Sequence, residues 1–149
     1  MKAFLDTSVL VATFYADHER HRPSIALFLR YAKNEVCCAA HSLAEVYATL
    51  TSMPPPRRVS GHEAVLFLRD IQERLTLVTL DADEYFQLTM DSAGLSLASG
   101  AIYDAVFAEC AQKAGARVIY TWNTKDFLRL APAVADRVQM PPDEQEADH

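Results

Sequence analysis

Four carboxylates stand where apolar segments end or begin. They are Asp6 in Ala-Phe-Leu-Asp-Thr-Ser-Val-Leu-Val, Glu45 in Ser-Leu-Ala-Glu-Val-Tyr, Asp104 in Ala-Ile-Tyr-Asp-Ala-Val-Phe and Asp126 in Thr-Trp-Asn-Thr-Lys-Asp-Phe. An acid inside an apolar run is costly to bury unless its charge is compensated. Several, each at a strand end or a helix start, point to a shared cation. An all-carboxylate ligand set suits the hard ions Mg²⁺ and Mn²⁺. Each residue also has an ordinary explanation. Asp6 could N-cap a helix starting near Ser8. Ser42-Leu43-Ala44-Glu45 has the form of a capping box. Asp104 lies near a helix start, where the dipole favours an acid. Asp126 could cap or face solvent, and Asn123 could be a turn residue. Their joint order and apolar contexts weigh more than any one of them.

Other chemistries fit less well. A phosphatase of the haloacid-dehalogenase type wants a second Asp two residues after the first, and Ser8 stands there. Phosphate-cradling and dinucleotide loops need glycines, and the chain has four in all, none in such a pattern. His18 and His21 flank Glu19 and Arg20 at a charged helix start, and read as a solvated cap rather than a metal pair. The three cysteines, Cys37, Cys38 and Cys110, lack zinc-ligand spacing, and an odd count argues against a disulfide framework. They read as buried, reduced and structural.

The elements that must position the acids follow from periodicity and punctuation. Lys2 to Leu5, Glu35 to Ala39, Leu77 to Leu80 and Arg117 to Thr121 read as strands, and Val138 to Met140 as an edge strand. Helices are expected from Ser8 to Tyr15, from His21 to Asn34, from Ser42 to Leu50, from Ser60 to about Arg74, from Asp81 to Ala93, from Ile102 to Ala114 and from Lys125 to Leu130. Ser60 and Asp81 are expected caps, and Gly115 an expected helix stop. The triple proline Pro54-Pro55-Pro56 cannot continue a helix and reads as a loop within one domain. Strands separated by helices imply an α/β fold with a central parallel sheet of four to five strands. Ligands of such sheets bind beyond the carboxyl ends of the strands, where Asp6, Thr121 and Asn123 fall.

At 149 residues, half of them hydrophobic, the chain is expected to form one domain over residues 1–140, followed by an acidic, disordered tail over 141–149. No apolar run is long enough to span a membrane, and no signal peptide is read at the start, so the cytoplasm is expected. The net charge of −6 argues against a nucleic-acid partner until it is located: Asp143, Glu144, Glu146 and Asp148 lie in the tail, and without those four the body carries −2. A bound divalent ion would invert the field of the remaining cluster. Arg57 and Arg58, displayed after the prolines, are candidates for holding phosphates or a protein surface, the plain alternative being a solvated loop. Lys125 and Arg129, beside the fourth acidic segment, are better placed to meet substrate.

The four segments resemble those of a known family, the PIN-domain ribonucleases, and within it the VapC-type toxins of bacterial toxin–antitoxin pairs. Leu-Asp-Thr-Ser-Val-Leu-Val resembles the family's opening. Ser-Leu-Ala-Glu-Val-Tyr-Ala-Thr-Leu, Ile-Tyr-Asp-Ala-Val-Phe-Ala and Thr-Trp-Asn-Thr-Lys-Asp-Phe resemble its second, third and fourth motifs. The likeness runs from Phe4 to about Val138. It implies a PIN-like domain that hydrolyses RNA phosphodiesters with one or two Mg²⁺ or Mn²⁺ ions. Asp6 and Asp104 would be the main ligands. Glu45 would bind through water or orient the nucleophile. Family members place Asp or Asn at the position of Asn123, with an acid or His before the Phe. Either Asn123 or Asp126 would therefore complete the site. Thr7, Ser8 and Thr121 would hydrogen-bond the carboxylates. The expected partners are RNA, a VapB-like antitoxin covering the acidic site and, through the Leu- and Phe-rich helices, a second copy of the chain. Two alternatives remain: a housekeeping or DNA-directed PIN nuclease, and a PIN domain that has lost activity and serves as a scaffold.

Overall fold

β1 (Ala3–Leu5) runs through the middle of a five-stranded sheet in the computed structural model, which describes residues 1–130 and 132–143. It leads into α1 (Thr7–Phe14), α2 (His21–Arg30) and β2 (Val36–Ala39). Then come α3 (His41–Ser52), α4 (Gly61–Arg74), β3 (Thr76–Val78), α5 (Ala82–Gly94) and α6 (Ala101–Ala114). β4 (Val118–Tyr120), α7 (Thr124–Leu130), a 3-10 helix (Pro132–Arg137) and β5 (Val138–Gln139) complete the order. The strands lie in the order β3-β2-β1-β4-β5, and every pairing is parallel. All strands therefore end at one rim, as the helical connections require. The tail expected to be disordered lies mostly outside the described residues.

Period-two alternation divides the core between the two faces of the sheet. Ala3, Leu5, Val36, Cys38 and Tyr120 pack with Val9, Leu10, Leu27, Val46, Leu50 and Ile71, from α1 to α4. Phe4, Cys37, Ala39 and Ile119 pack with Val106, Phe107, Cys110 and Ala111 of α6 and with Phe127 of α7. The adjacent cysteines thus face opposite sides, as alternation demands. All three are free and buried, and burial pushes the Cys37 and Cys110 thiols up to about 12 and about 11.

Several local expectations stand. Ser60 accepts from the Glu63 amide at 3.2 Å, and Asp81 forms a reciprocal capping box with Glu84. Gly115 ends α6 at φ +68°, a left-handed conformation that glycine takes without a Cβ penalty. Two expectations need correction. The second helix stops at Arg30 instead of Asn34. Tyr31 is extended, and the Glu35 carboxylate accepts the Ala32 amide at 3.0 Å, closing a turn. Ser42 does not cap α3. The helix begins two residues earlier than that box required, at His41, and Ser42 is a fully buried helical residue whose hydroxyl accepts a hydrogen bond from Thr7 at 3.0 Å. Glu45 is therefore a turn inside α3 and has no capping duty. No helix among the described residues is long and apolar enough to cross a membrane.

Candidate active site

Three of the sequence-predicted acids meet in one cleft at the carboxyl rim of the sheet. The cleft has a volume of about 450 Å³ and is lined by Asp6, Thr7, Ser8, Glu45, Asp104 and Asn123, among others. Topology explains the convergence. Asp6 follows β1 directly, and β4, its neighbour, ends one residue before Thr121. β2 lies on the other side of β1 and leads into α3, which carries Glu45. Asp104 occupies the first turn of α6, which packs across the opposite face.

Asp6 is only 4% exposed, and burial pushes its carboxyl above the usual carboxylate range. Hydrogen bonds offset part of that cost. Ser8 and Thr121 each donate a hydroxyl to Asp6 Oδ2 at 2.8 Å, and Thr121 is itself fully buried. The Asn123 amide then donates to Thr121 Oγ1 at 3.0 Å. Asp6 occupies the N-cap position of α1, but the Thr121 and Ser8 hydroxyls hold its carboxylate more strongly than the amides of that first turn do.

Glu45 is raised by burial and, more weakly, by the charge of Asp6, while a hydrogen bond from Thr7 and the proximity of His41 pull it down. Thr7 has one hydroxyl proton to share between Ser42 and Glu45. His41 lies one turn before Glu45, with Nε2 at 3.6 Å from Oε1. Asp104 is perturbed by burial and also by its neighbours. Burial, then the charges of Asp6, Asp126 and Glu45, push its carboxyl up to about 6, and Arg129 offsets part of this.

The other predicted residues divide. Asp126, exposed on α7, does not line the cleft, although its charge reaches Asp104. Lys125 is exposed on the same helix, and Arg129 borders a neighbouring recess formed by residues 95–98 and Ala101. Arg57 and Arg58 are not brought to the cleft: Arg57 pairs with Asp17 at 3.2 Å, and Arg58 Nε donates to the Met53 carbonyl at 2.9 Å. Sequence reasoning missed His18, Arg20, Tyr103 and Trp122 as cleft residues. The charged turn around His18 looks like any solvated helix start. The usable signal was Trp122, the chain's only tryptophan, placed one residue past Thr121.

Among the described residues no group of three or more His, Cys, Asp or Glu side chains is arranged as a ready metal cage. The donors nonetheless fit a hard cation: they are oxygens, they are partly desolvated, and they raise one another's proton affinity for want of positive charge.

The chain is thus a parallel three-layer α/β domain with an acidic cleft at its carboxyl rim. The chain belongs to the PIN domain family, whose model matches residues 3–132. It is 37% identical over 114 residues to Ribonuclease VapC40 of Mycobacterium tuberculosis, a match covering 76% of this chain and 81% of that protein. Its fold is similar to that of Mycobacterium tuberculosis VapC20, with a TM-score of 0.71 at 20% identity, over 95% of this chain and all (100%) of that one. It is also similar to VapBC-1 from nontypeable Haemophilus influenzae, with a TM-score of 0.63 at 17% identity, over 94% and 98% of the two chains.

Proposed function

We propose that this protein is a Mg²⁺- or Mn²⁺-dependent endoribonuclease and the toxin of a type II toxin–antitoxin pair. The observation that carries the reading is the convergence of Asp6, Glu45 and Asp104 on one cleft, where burial and the other acids push the Asp104 carboxyl up to about 6. The relative named as a ribonuclease supports it, since the match takes in most of both chains. Asp6 and Asp104 would hold the cation directly, and Glu45 would act through a water or orient it for attack. Asn123, which lines the cleft, is the better placed of the two candidates to complete the ligand set. When bound, the cation would polarise a phosphoryl oxygen and make a nearby water more acidic.

The protein's own part is positioning. Ser8 and Thr121 both grip Oδ2 of Asp6 and so fix the carboxylate at the rim. Thr7 steadies Glu45 in the same way. Thr121→Val should remove a hydrogen bond to a charged group, worth about 1.5–3 kcal/mol of stability. It should also lower cleavage about 10- to 100-fold, the usual cost of losing a group that orients a metal ligand. Denaturant melts and RNA cleavage assays read the two effects. A variant as active as the wild type would mean that Asp6 needs no such support.

Incubation with total cellular RNA, followed by mapping of the ends, tests the activity: discrete cuts with Mn²⁺ and none with EDTA are expected. Intact RNA in the presence of Mn²⁺ would sink the nuclease reading. The toxin role has its own test. Expression of the chain alone should slow growth, and co-expression of the antitoxin gene expected immediately upstream should restore it. Normal growth despite soluble, active enzyme would remove the toxin role and leave the nuclease. The homodimer belongs to the same proposal. Phe86 and Met90 lie one turn apart on α5 and are 67% and 51% exposed, as a helix that packs against a second copy would leave them in a single chain.

A further inference from the structure

We propose that Arg20, stacked on Trp122, is the residue that grips a backbone phosphate of single-stranded RNA in the cleft. The inference rests on the nuclease reading above. It starts from an electrostatic difficulty. A polyanion must approach three carboxylates, and phosphate binding ordinarily relies on Lys and Arg. Of the four cations that the sequence offered for this task, none lines the cleft. Among the described residues, Arg20 is the one Lys or Arg side chain that does.

The mounting of Arg20 suits an anion. Its guanidinium carbon is 4.6 Å from the centroid of the Trp122 ring. That ring is anchored at both ends, by Nε1 donating to Ser24 Oγ at 2.9 Å and by the main-chain amide donating to Ser8 Oγ at 3.0 Å. Stacking uses the flat face of the guanidinium and leaves its edge donors for a planar or bidentate acceptor. Those donors have little else to do. Among the described residues the one carboxylate within ion-pair range is Glu19, at 3.9 Å from Nε and itself 83% exposed. Arg20 does not figure among the charges that shift Asp6, Glu45 or Asp104.

The turn that carries Arg20 is built from its own backbone. The Arg20 amide donates to His18 Nδ1 at 3.0 Å, the His18 amide to the Tyr15 carbonyl at 3.0 Å, and the His21 amide to the His18 carbonyl at 3.0 Å. The Arg57–Asp17 pair ties the same turn to the loop after α3. Arg57 thus acts on this turn. Single-stranded RNA is favoured over a duplex because the cleft offers an aromatic face to an unstacked base. Tyr103 is 50% exposed there and is backed by His41, stacked at 5.4 Å between centroids and 8° between planes. Sequence reading hid Arg20 because a charged residue before a helix is ordinarily solvated; only the fold brings Trp122 under it.

Binding and turnover test the assignment separately. Arg20→Ala and Arg20→Lys are made in the Asp104→Asn background, and each is titrated with a short mixed-sequence single-stranded RNA at several salt concentrations. Emission of Trp122, the chain's only tryptophan, is the readout. Arg20→Ala should weaken binding about tenfold or more at low salt. It should also flatten the slope of log K against log salt by about 0.7, the share of one single-strand phosphate. Arg20→Lys should keep the slope and lose part of the affinity, because it keeps the charge without the planar fork. In the otherwise wild-type chain, Arg20→Ala should raise KM with little change in kcat. An unchanged salt slope, with or without a lowered melting temperature, would reduce Arg20 to a brace for Trp122 and overturn the proposal while RNA cleavage stands. If the wild-type chain neither binds nor cuts RNA, the nuclease reading falls and takes this inference with it.

Discussion

An Asp104→Asn variant is expected to lose RNA cleavage by at least about 100-fold, the upper end of what losing a mere supporting residue costs at a metal site. At the same time it should melt higher than the wild type when no metal is present. The second expectation follows from the charge balance. Asp104 titrates near 3.8 when unperturbed, and burial with the charges of Asp6, Asp126 and Glu45 pushes it up to about 6 in the folded chain. Between those two pH values the folded state holds a proton that the unfolded state has released. Stability contributed by this group therefore falls as pH rises through that window, and stays at the lower level above it. Asparagine does not titrate. The melting temperature of the variant minus that of the wild type should be small below about pH 4, grow up to about pH 6 and then level off. Differential scanning at a series of pH values measures it. A flat difference would mean that neither burial nor the neighbouring acids raise Asp104 in the folded chain, and full cleavage would leave Asp104 as an acid at a helix start. Glu45→Gln should lose activity in the same direction, with no capping cost, because Glu45 lies a turn inside α3.

Mn²⁺ should stabilise the folded chain about as strongly as burying one apolar side chain does. A ligand that binds only the native state adds about 2.7 kcal/mol at a hundredfold excess over its dissociation constant. For a domain of this size that is a rise of about 5–10 °C in melting temperature. The rise should vanish with EDTA and shrink sharply in Asp104→Asn. An unmoved melting temperature would defeat the metal-site reading. Calorimetric titration can also decide how the site is completed. Asn123 lines the cleft, whereas Asp126 acts on Asp104 only through its field. Asn123→Asp should therefore tighten Mn²⁺ binding, since each added carboxylate strengthens a hard-ion site. Asp126→Asn should weaken it less than Asn123→Asp strengthens it. No change in either variant would leave the metal to Asp6, Glu45 and Asp104 alone.

What the sequence by itself determined is local and periodic. Strands alternating with helices require a parallel sheet, so the order of the elements already implied the three-layer architecture and one functional rim. The Asp81–Glu84 capping box, the Ser60 cap and the Gly115 stop are encoded within a few residues, where hydrogen bonds close regardless of the rest of the chain. Asp6 was conspicuous for the same reason, as an acid directly after a short buried strand.

Tertiary structure decided what depends on partners far apart in the chain. Ser42-Leu43-Ala44-Glu45 has the same local form as the box at Asp81, yet Ser42 spends its hydroxyl on Thr7, 35 residues away, because β1 and β2 are neighbours. Thr121 holds Asp6 across 115 residues because β4 pairs with β1. Arg57 and Arg58, prominent beside three prolines, were drawn into contacts with Asp17 and Met53, while Arg20 was carried onto Trp122 at the cleft. Composition and spacing limit which residues can bear charge and which can be buried. They cannot say which charge faces which cavity, since that is set by the register and order of strands distant in sequence.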